Sequence, residues 1–300
     1  RQRQMCIRDR VSHIFEGTDL RLRPFGQIIL IKSTLYALGL LVMAVALNLL
    51  FLAFFFSWEE MVSVWGIMST RLLVGLAGWT VFSIVGVNFL MEVRRKMGPG
   101  KLWALLTGRY QRPRDEDRVF LFLDMKGSTT NTEPLGHARY SEFLRQVYHD
   151  LTEIVLGHEA EIYQYVGDEV VLTWPARRSG SGRRSLQAFF AFRKKLREKR
   201  DWYEGTFGAV PEFRGGVEVG QVTATEVGDI KRDIAFHGDP LNTAARLLEL
   251  CREYEQPVLV SGKIHADISG DQTLATELRG EVTLRGKKEP VAVYGVSPAA

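Results

Sequence analysis

"VFLFLDMKGSTT", Val119 to Thr130, is a run of five strand-forming apolar residues closed by an aspartate, Asp124, and a loop of glycine and hydroxyl side chains. A carboxylate at the end of a buried strand is costly unless a structural arginine, a helix N-terminus or a metal ion meets it. The fold and the chemistry both follow from which of these it is.

Working outward, the strand "RVFLFLD" is followed by a helix predicted from about residue 135 to 156, with Tyr140, Phe143, Leu144, Val147, Leu151, Ile154 and Val155 at helical spacing. "EIYQYV" and "VVLTW" flank Gly167, Asp168 and Glu169 and predict a hairpin. A helix at about 185–203, strands "FRGGVEVG" and "VTATEVG", a helix from about 241 to 254, a strand "PVLV" and late strands near "VTLRG" and "VAVYGV" complete the pattern. The order predicts an α+β fold, ferredoxin-like βαββαβ, with the helices on one sheet face.

In that order the first strand and the hairpin can lie side by side, so Asp124 and Asp168 can meet at one sheet edge. Two carboxylates that close repel unless a cation lies between them, and such pairs hold two Mg²⁺ or Mn²⁺ ions in phosphoryl chemistry. Either aspartate alone is more readily a turn or capping residue. The loop "KGSTT" offers backbone N–H groups beside a helix start, with Gly127 permitting close approach and Ser128 and Thr129 adding hydroxyls, a cradle for a triphosphate. In "GDPLNTAARLLEL", Asn242 and Arg246 are four apart and share a helix face, fit to orient a ribose and stabilise charge on phosphorus. Lys287, in "LRGKKEPV", can contact phosphates or simply be solvated.

Together these residues resemble the class III adenylyl/guanylyl cyclase catalytic domain. "FLDMKGST" resembles its first metal-aspartate motif, "GHEAEIYQYVGDEVV" the second, "FRGGVEVGQV" its glycine-bearing strand pair, "HGDPLNTAARL" its Asn/Arg helix and "LRGKKEPVAVYGV" its lysine loop. The resemblance implies that Asp124, Asp168 and the carbonyl of Met125 bind two metal ions per site, Mg²⁺ or Mn²⁺. It implies further that Asn242 orients the ribose, Arg246 stabilises the transition state and Lys287 holds the triphosphate. Such sites form between two protomers, so a homodimer is expected. Where the family usually carries a base-reading lysine this chain has Gln164, and where an aspartate or threonine is common it has Ala235; Gln221 stands where some members have an arginine. Glutamine both donates and accepts, so it suits adenine or guanine. The expected activity is ATP to cyclic AMP, with GTP to cyclic GMP, or nucleotide binding without turnover, as alternatives. "VGDEV" also resembles a diguanylate cyclase signature, against which Asn242 and Arg246 argue.

The remainder of the chain differs in kind. Residues 28–91 carry only Lys32, Glu59, Glu60 and Arg71 as charges, and residues 1–115 hold fifteen basic against seven acidic side chains, while the rest of the chain holds 24 against 28. The basic excess thus flanks an apolar segment rather than the globular part, which argues for a membrane and against nucleic acid. Leu35 to Phe56 is 22 residues, roughly 33 Å as a helix, and Leu72 to Met91 is a second run of 20. The pair predicts an all-α transmembrane hairpin with both ends cytoplasmic and Trp58 and Trp65 at the outer interface, hence a multi-pass protein of the inner (plasma) membrane. Cys6 and Cys251 form no spacing pattern and fit a reducing compartment. The expected division is an N-terminal cytoplasmic stretch 1–27, the hairpin 28–92, a juxtamembrane linker 93–117 with a short amphipathic turn at Leu102, Trp103, Leu105 and Leu106, and the catalytic domain 118–300. The opening "RQRQMCIRDR" lacks an initiating methionine and suggests a fragment.

Overall fold

The computed structural model describes residues 25–55, 70–97, 103–104, 107–176, 180–230, 232–283 and 290–299. They fall into two compact units, one up to residue 102 and one from Trp103 onward.

The first unit is a pair of long helices, α1 (Phe25–Phe55) and α2 (Thr70–Met97), packed on each other. Lys32 Nζ donates to Glu92 Oε2 across 3.2 Å, and Ser33 and Asn88 are buried. Leu38, Leu41, Val42, Trp79 and Phe82 are exposed. Among the described residues one stretch, Gly26–Met43, is long and apolar enough to cross a membrane. The expectation of two spans is therefore met by one helix on that measure. The turn with Trp58 and Trp65, and Leu102, Leu105 and Leu106 of the linker, lie outside the described residues; of that linker turn, Trp103 is exposed, and its neighbour Ala104 is buried.

The second unit is built on an eight-stranded sheet. Its strands are β1 (Arg114–Met125), β2 (Glu161–Val166), β3 (Glu169–Pro175), β4 (Phe213–Val227), β5 (Asp233–His237), β6 (Val258–Ser261), β7 (Leu274–Val282) and β8 (Val291–Pro298). The order is β2-β3-β1-β4-β6-β8-β7, with β5 on β4, so the first four strands have the ferredoxin-like arrangement. β1 is central, antiparallel to β3 and β4. That explains why Val119 to Leu123 form a continuous apolar run, since a strand covered on both faces has no solvent side. Val119, Leu121, Leu123 and Met125 join one core and Phe120 and Phe122 the other. Fully burying each such side chain contributes roughly 1.5–3 kcal/mol.

The two faces carry different helices. α3 (Ser128–Gly157), α4 (Ser181–Glu198) and α5 (Arg200–Phe207) contribute to the first core. α6 (Asp239–Glu253) packs on the second, through Ala244 and Leu248. The short α7 (Gly262–Ile268) adds Ile264 and Ile268 to the first core. Helices thus cover both faces, not one. The reason is Gly216: a Cβ there would lie 2.2 Å from the Ala244 carbonyl oxygen and 2.5 Å from the Leu248 nitrogen, so only glycine lets α6 lie this close to β4.

Several boundaries also differ from the sequence expectation. The helix expected from 135 starts at Ser128 and breaks at Gly136 (φ 69°, ψ 164°). "FRGGVEVG" and "VTATEVG" form one 15-residue strand, because β4 pairs with β1 over most of its length and with β5 at its end. The helix expected at 185–203 is two, α4 and α5, and β5 and α7 have no counterpart in the sequence pattern.

Candidate active site

Asp124 is half-buried, one residue before the end of β1. Asp168, also half-buried, lies with Gly167 in the two-residue turn between β2 and β3; Gly167 has φ 62°, which a side chain would strain. Leu123 pairs with Val170, so continuing the antiparallel register sets Glu169 opposite Asp124 and the turn just beyond. The carboxylates feel one another. Burial first and the charge of Asp168 second push the Asp124 carboxyl above its ordinary range, against a hydrogen bond from the Met125 amide and the charge of Arg214 across the strand pair. Burial, then Asp124 and Asp168, push Glu169 up as well.

Four further predicted residues flank this end. The Met125 side chain is buried in the core, so only its backbone can serve a ligand. Gly127 is left-handed (φ 71°, ψ 27°) and immediately precedes α3; Ser128 and Thr129 are the first residues of that helix, whose free N–H groups suit an anion.

One contributor is not evident in the sequence. Tyr148, on α3, donates its hydroxyl to the Gly167 carbonyl oxygen at 2.8 Å, with the Glu169 carbonyl at 3.5 Å, and its ring centroid lies 4.6 Å from that of Tyr165. Burial, and then the charge of Asp168, push this hydroxyl up, so it stays a donor. The one signal for it in the sequence is helical spacing from Leu144 and Leu151.

Asn242 and Arg246 are on α6, Asn242 exposed and Arg246 half-exposed with its guanidinium 2.5 Å from the Glu249 carboxylate. Neither is among the groups that act on Asp124, whose offsetting cation is Arg214. α6 runs along β4 with Pro240 against Gly220 and Leu248 against Gly216, whereas Asp124 pairs with Arg214. Gly220, beside the start of α6, is six residues and roughly 20 Å along β4 from Arg214, while Gly216, against the turn that carries Arg246, is two residues and roughly 7 Å from it.

Gln164 is exposed on the edge strand β2, just past a register shift, and Ala235 is half-buried on β5 opposite Thr225. Their chain neighbours touch: Tyr163 packs on Phe236 with ring centroids 5.2 Å apart and accepts a hydrogen bond from the Phe236 amide at 3.3 Å. Lys287 lies outside the described residues. Cys251 is buried and its thiol pushed up to about 12, mainly by burial, which leaves it unreactive.

A family profile described as "Adenylate and Guanylate cyclase catalytic domain" matches residues 111–297. The chain belongs to that family. It is 32% identical over 211 residues to adenylate cyclase 2 of Rhizobium meliloti (strain 1021), covering 70% of this chain and 58% of that protein, so it spans less than two thirds of that relative. Two solved structures share the fold. The adenylyl cyclase CyaB from P. aeruginosa superposes with a TM-score of 0.57 at 20% identity, covering 63% of this chain and 97% of that one. The guanylate cyclase domain of RhGC from Catenaria anguillulae, in complex with GTP, superposes with a TM-score of 0.52 at 18% identity, covering 62% of this chain and 100% of that one.

Nucleotide cyclase domains of this family generally use divalent metal ions, and the residues here fit such ions. Among the described residues no three His, Cys, Asp or Glu side chains gather as a closed cage. Asp124 and Asp168 instead form a half-buried pair whose mutual repulsion a divalent cation would relieve. Magnesium-type ions are held in this way, by one or two carboxylates with positions left for substrate phosphates.

Proposed function

We propose that the chain is an adenylate cyclase that converts ATP to 3′,5′-cyclic AMP and pyrophosphate at sites shared by two copies of the chain. The observation that carries this reading is the half-buried pair Asp124 and Asp168 at the end of β1, beside a second set on α6: Asn242 near the helix start, back along the sheet beside Gly220, with Arg246 one turn further on. Two chains about a two-fold axis would bring each set to the other chain's complementary set and make two equivalent sites.

Asp124, Asp168 and the Met125 carbonyl would hold two Mg²⁺ or Mn²⁺ ions, which supply charge neutralisation at the phosphates and activation of the attacking oxygen. The α3 N-terminus, with Gly127, Ser128 and Thr129, receives the phosphates, and Lys287 adds charge to the triphosphate. Asn242 holds the ribose so that its 3′-oxygen faces the α-phosphorus. The 3′-oxygen bonds to that phosphorus as its proton passes to solvent water, the bond to the bridging oxygen of the β-phosphate breaks, and pyrophosphate leaves. Arg246 stabilises the charge that grows on the phosphorus oxygens, for which it must exchange Glu249 for the substrate. Gln164 and Ala235 border the base. The name of the Rhizobium meliloti relative supports ATP. The amide of Gln164, able to serve either purine, supports GTP as the second reading.

The helical unit is the proposed anchor. The span-length stretch Gly26–Met43, the exposed apolar side chains of α1 and α2, and the basic residues flanking both runs support a hairpin in the inner membrane with the catalytic domain cytoplasmic.

The test is to incubate the purified full chain with ATP and, separately, GTP in Mn²⁺, and to identify the product by mass. Cyclic AMP is expected; cyclic GMP alone would overturn the base assignment, and no product from a folded dimer would overturn the enzyme reading. For the shared site, mixing inactive Asp168→Ala with inactive Asn242→Ala chains should restore activity, which sites confined to one chain would not allow.

A further inference from the structure

Tyr148 ties the helix that follows Asp124 to the turn that carries Asp168. It stands on α3, and its hydroxyl meets the carbonyl of Gly167, the residue directly before Asp168. The turn sits at one edge of the sheet. β2 is the edge strand, Gln164, Tyr165, Val166 and Gly167 are exposed, and the β2–β3 ladder is already shifted between Ile162 and Gln164. The Tyr148 ring also lies against Tyr165, so the same side chain contacts the strand leading into the turn and the turn itself.

We infer that Tyr148 is a positioning residue for the metal-binding carboxylates: its bond to the Gly167 carbonyl holds Asp168 at the separation from Asp124 that a divalent cation requires. This rests on the cyclase reading above. The physical reason lies in the repulsion between the two carboxylates. Without a cation they favour moving apart, and the partner freer to move is Asp168, on a two-residue turn, rather than Asp124, on a central strand paired on both sides. A hydrogen bond from a packed helix resists that movement, so the ion meets a site already assembled.

Tyr148→Phe removes the hydroxyl and keeps the ring. Because Gly167 is exposed, water can replace the lost donor, and the melting temperature should stay within about 2 °C of the parent chain. Mn²⁺ binding to the full chain, followed by the electron paramagnetic resonance signal of free Mn²⁺, should weaken about tenfold, as for other groups that orient metal ligands. The Mn²⁺ concentration for half-maximal turnover should rise by the same factor, with kcat at saturating Mn²⁺ within about twofold of the parent. Unchanged Mn²⁺ binding in Tyr148→Phe, with binding lost in Asp168→Ala, would overturn the role of the tyrosine and leave the cyclase reading standing. A fall in kcat with Mn²⁺ binding unchanged would overturn it equally. Full Mn²⁺ binding in both Asp124→Ala and Asp168→Ala would instead remove the metal site on which the inference rests.

Discussion

The two ends of β1 treat carboxylates in opposite ways. Near its start, Glu116 receives hydrogen bonds from Arg109 at 2.7 Å, Tyr110 at 3.1 Å and Arg118 at 3.2 Å. Burial works against the charge there, but these donors outweigh it and hold the carboxyl below its ordinary range. Near its end, Asp124 has only the Met125 amide and the charge of Arg214 to set against burial and Asp168, and its carboxyl is held above its ordinary range. One end is complete within the chain; the other is left short of positive charge. A fold that satisfies one acidic cluster fully while leaving another unsatisfied farther along the same strand marks the second as a place where something from outside belongs.

The satisfied end should lose most stability under mutation. Arg118 is 2% exposed, donates to Thr173 at 3.0 Å, pairs with Glu116 and Glu161, and lies over the Phe236 ring at 4.6 Å. Arg118→Leu should cost about 3 kcal/mol, the low end for a broken buried pair because Glu161 is partly solvated, and lower the melting temperature by roughly 9 °C. A loss under about 1 kcal/mol would show that the cluster is dispensable. At the other end, Asp124→Ala should leave the fold intact and reduce turnover about a hundredfold or more, read from initial rates with Mn²⁺ and ATP. Parent-like rates would erase the contrast between the two ends.

Two smaller effects probe the same contrast through pH. Glu116, held low in the folded chain, contributes stability above the ordinary glutamate range and loses it as pH falls through its folded value. Glu116→Gln should therefore lower stability by about 1 kcal/mol at pH 7, with the difference closing in acid, as followed by denaturant melts across pH. Asp124 has the opposite sign: its raised carboxyl favours the folded chain at low pH and opposes it once ionised. Asp168→Asn should thus raise the melting temperature of the chain in EDTA at pH 7 by about 2 °C, with the gain fading in acid. Added Mn²⁺ should reverse the ranking, because only the parent gains a bound ion. A destabilised Asp168→Asn chain in EDTA would mean that the pair is not repulsive.

Residue type and spacing are enough to place the central strand, the hairpin and the carboxylates at their ends, because a buried strand must be apolar throughout and an interruption by charge is conspicuous. They also put Asn242 and Arg246 on one face of a helix, since that is a matter of period. They do not say which sheet face that helix covers. Periodicity gives α6 an apolar side, but only the contact of Gly216 with Ala244 and Leu248 says against what. Nor could pattern join Tyr148 to Gly167, or Arg118 to Glu161 and Phe236, residues brought together from distant positions in the chain. The continuity of β4 is hidden in the same way, because the polar alternation "VTATE" looks like a separate strand until β5 pairs with it. Local order follows from spacing and residue type, which are properties of the chain; the placing of the two aspartates relative to each other and to α6 follows from strand order and helix packing, which no short stretch contains.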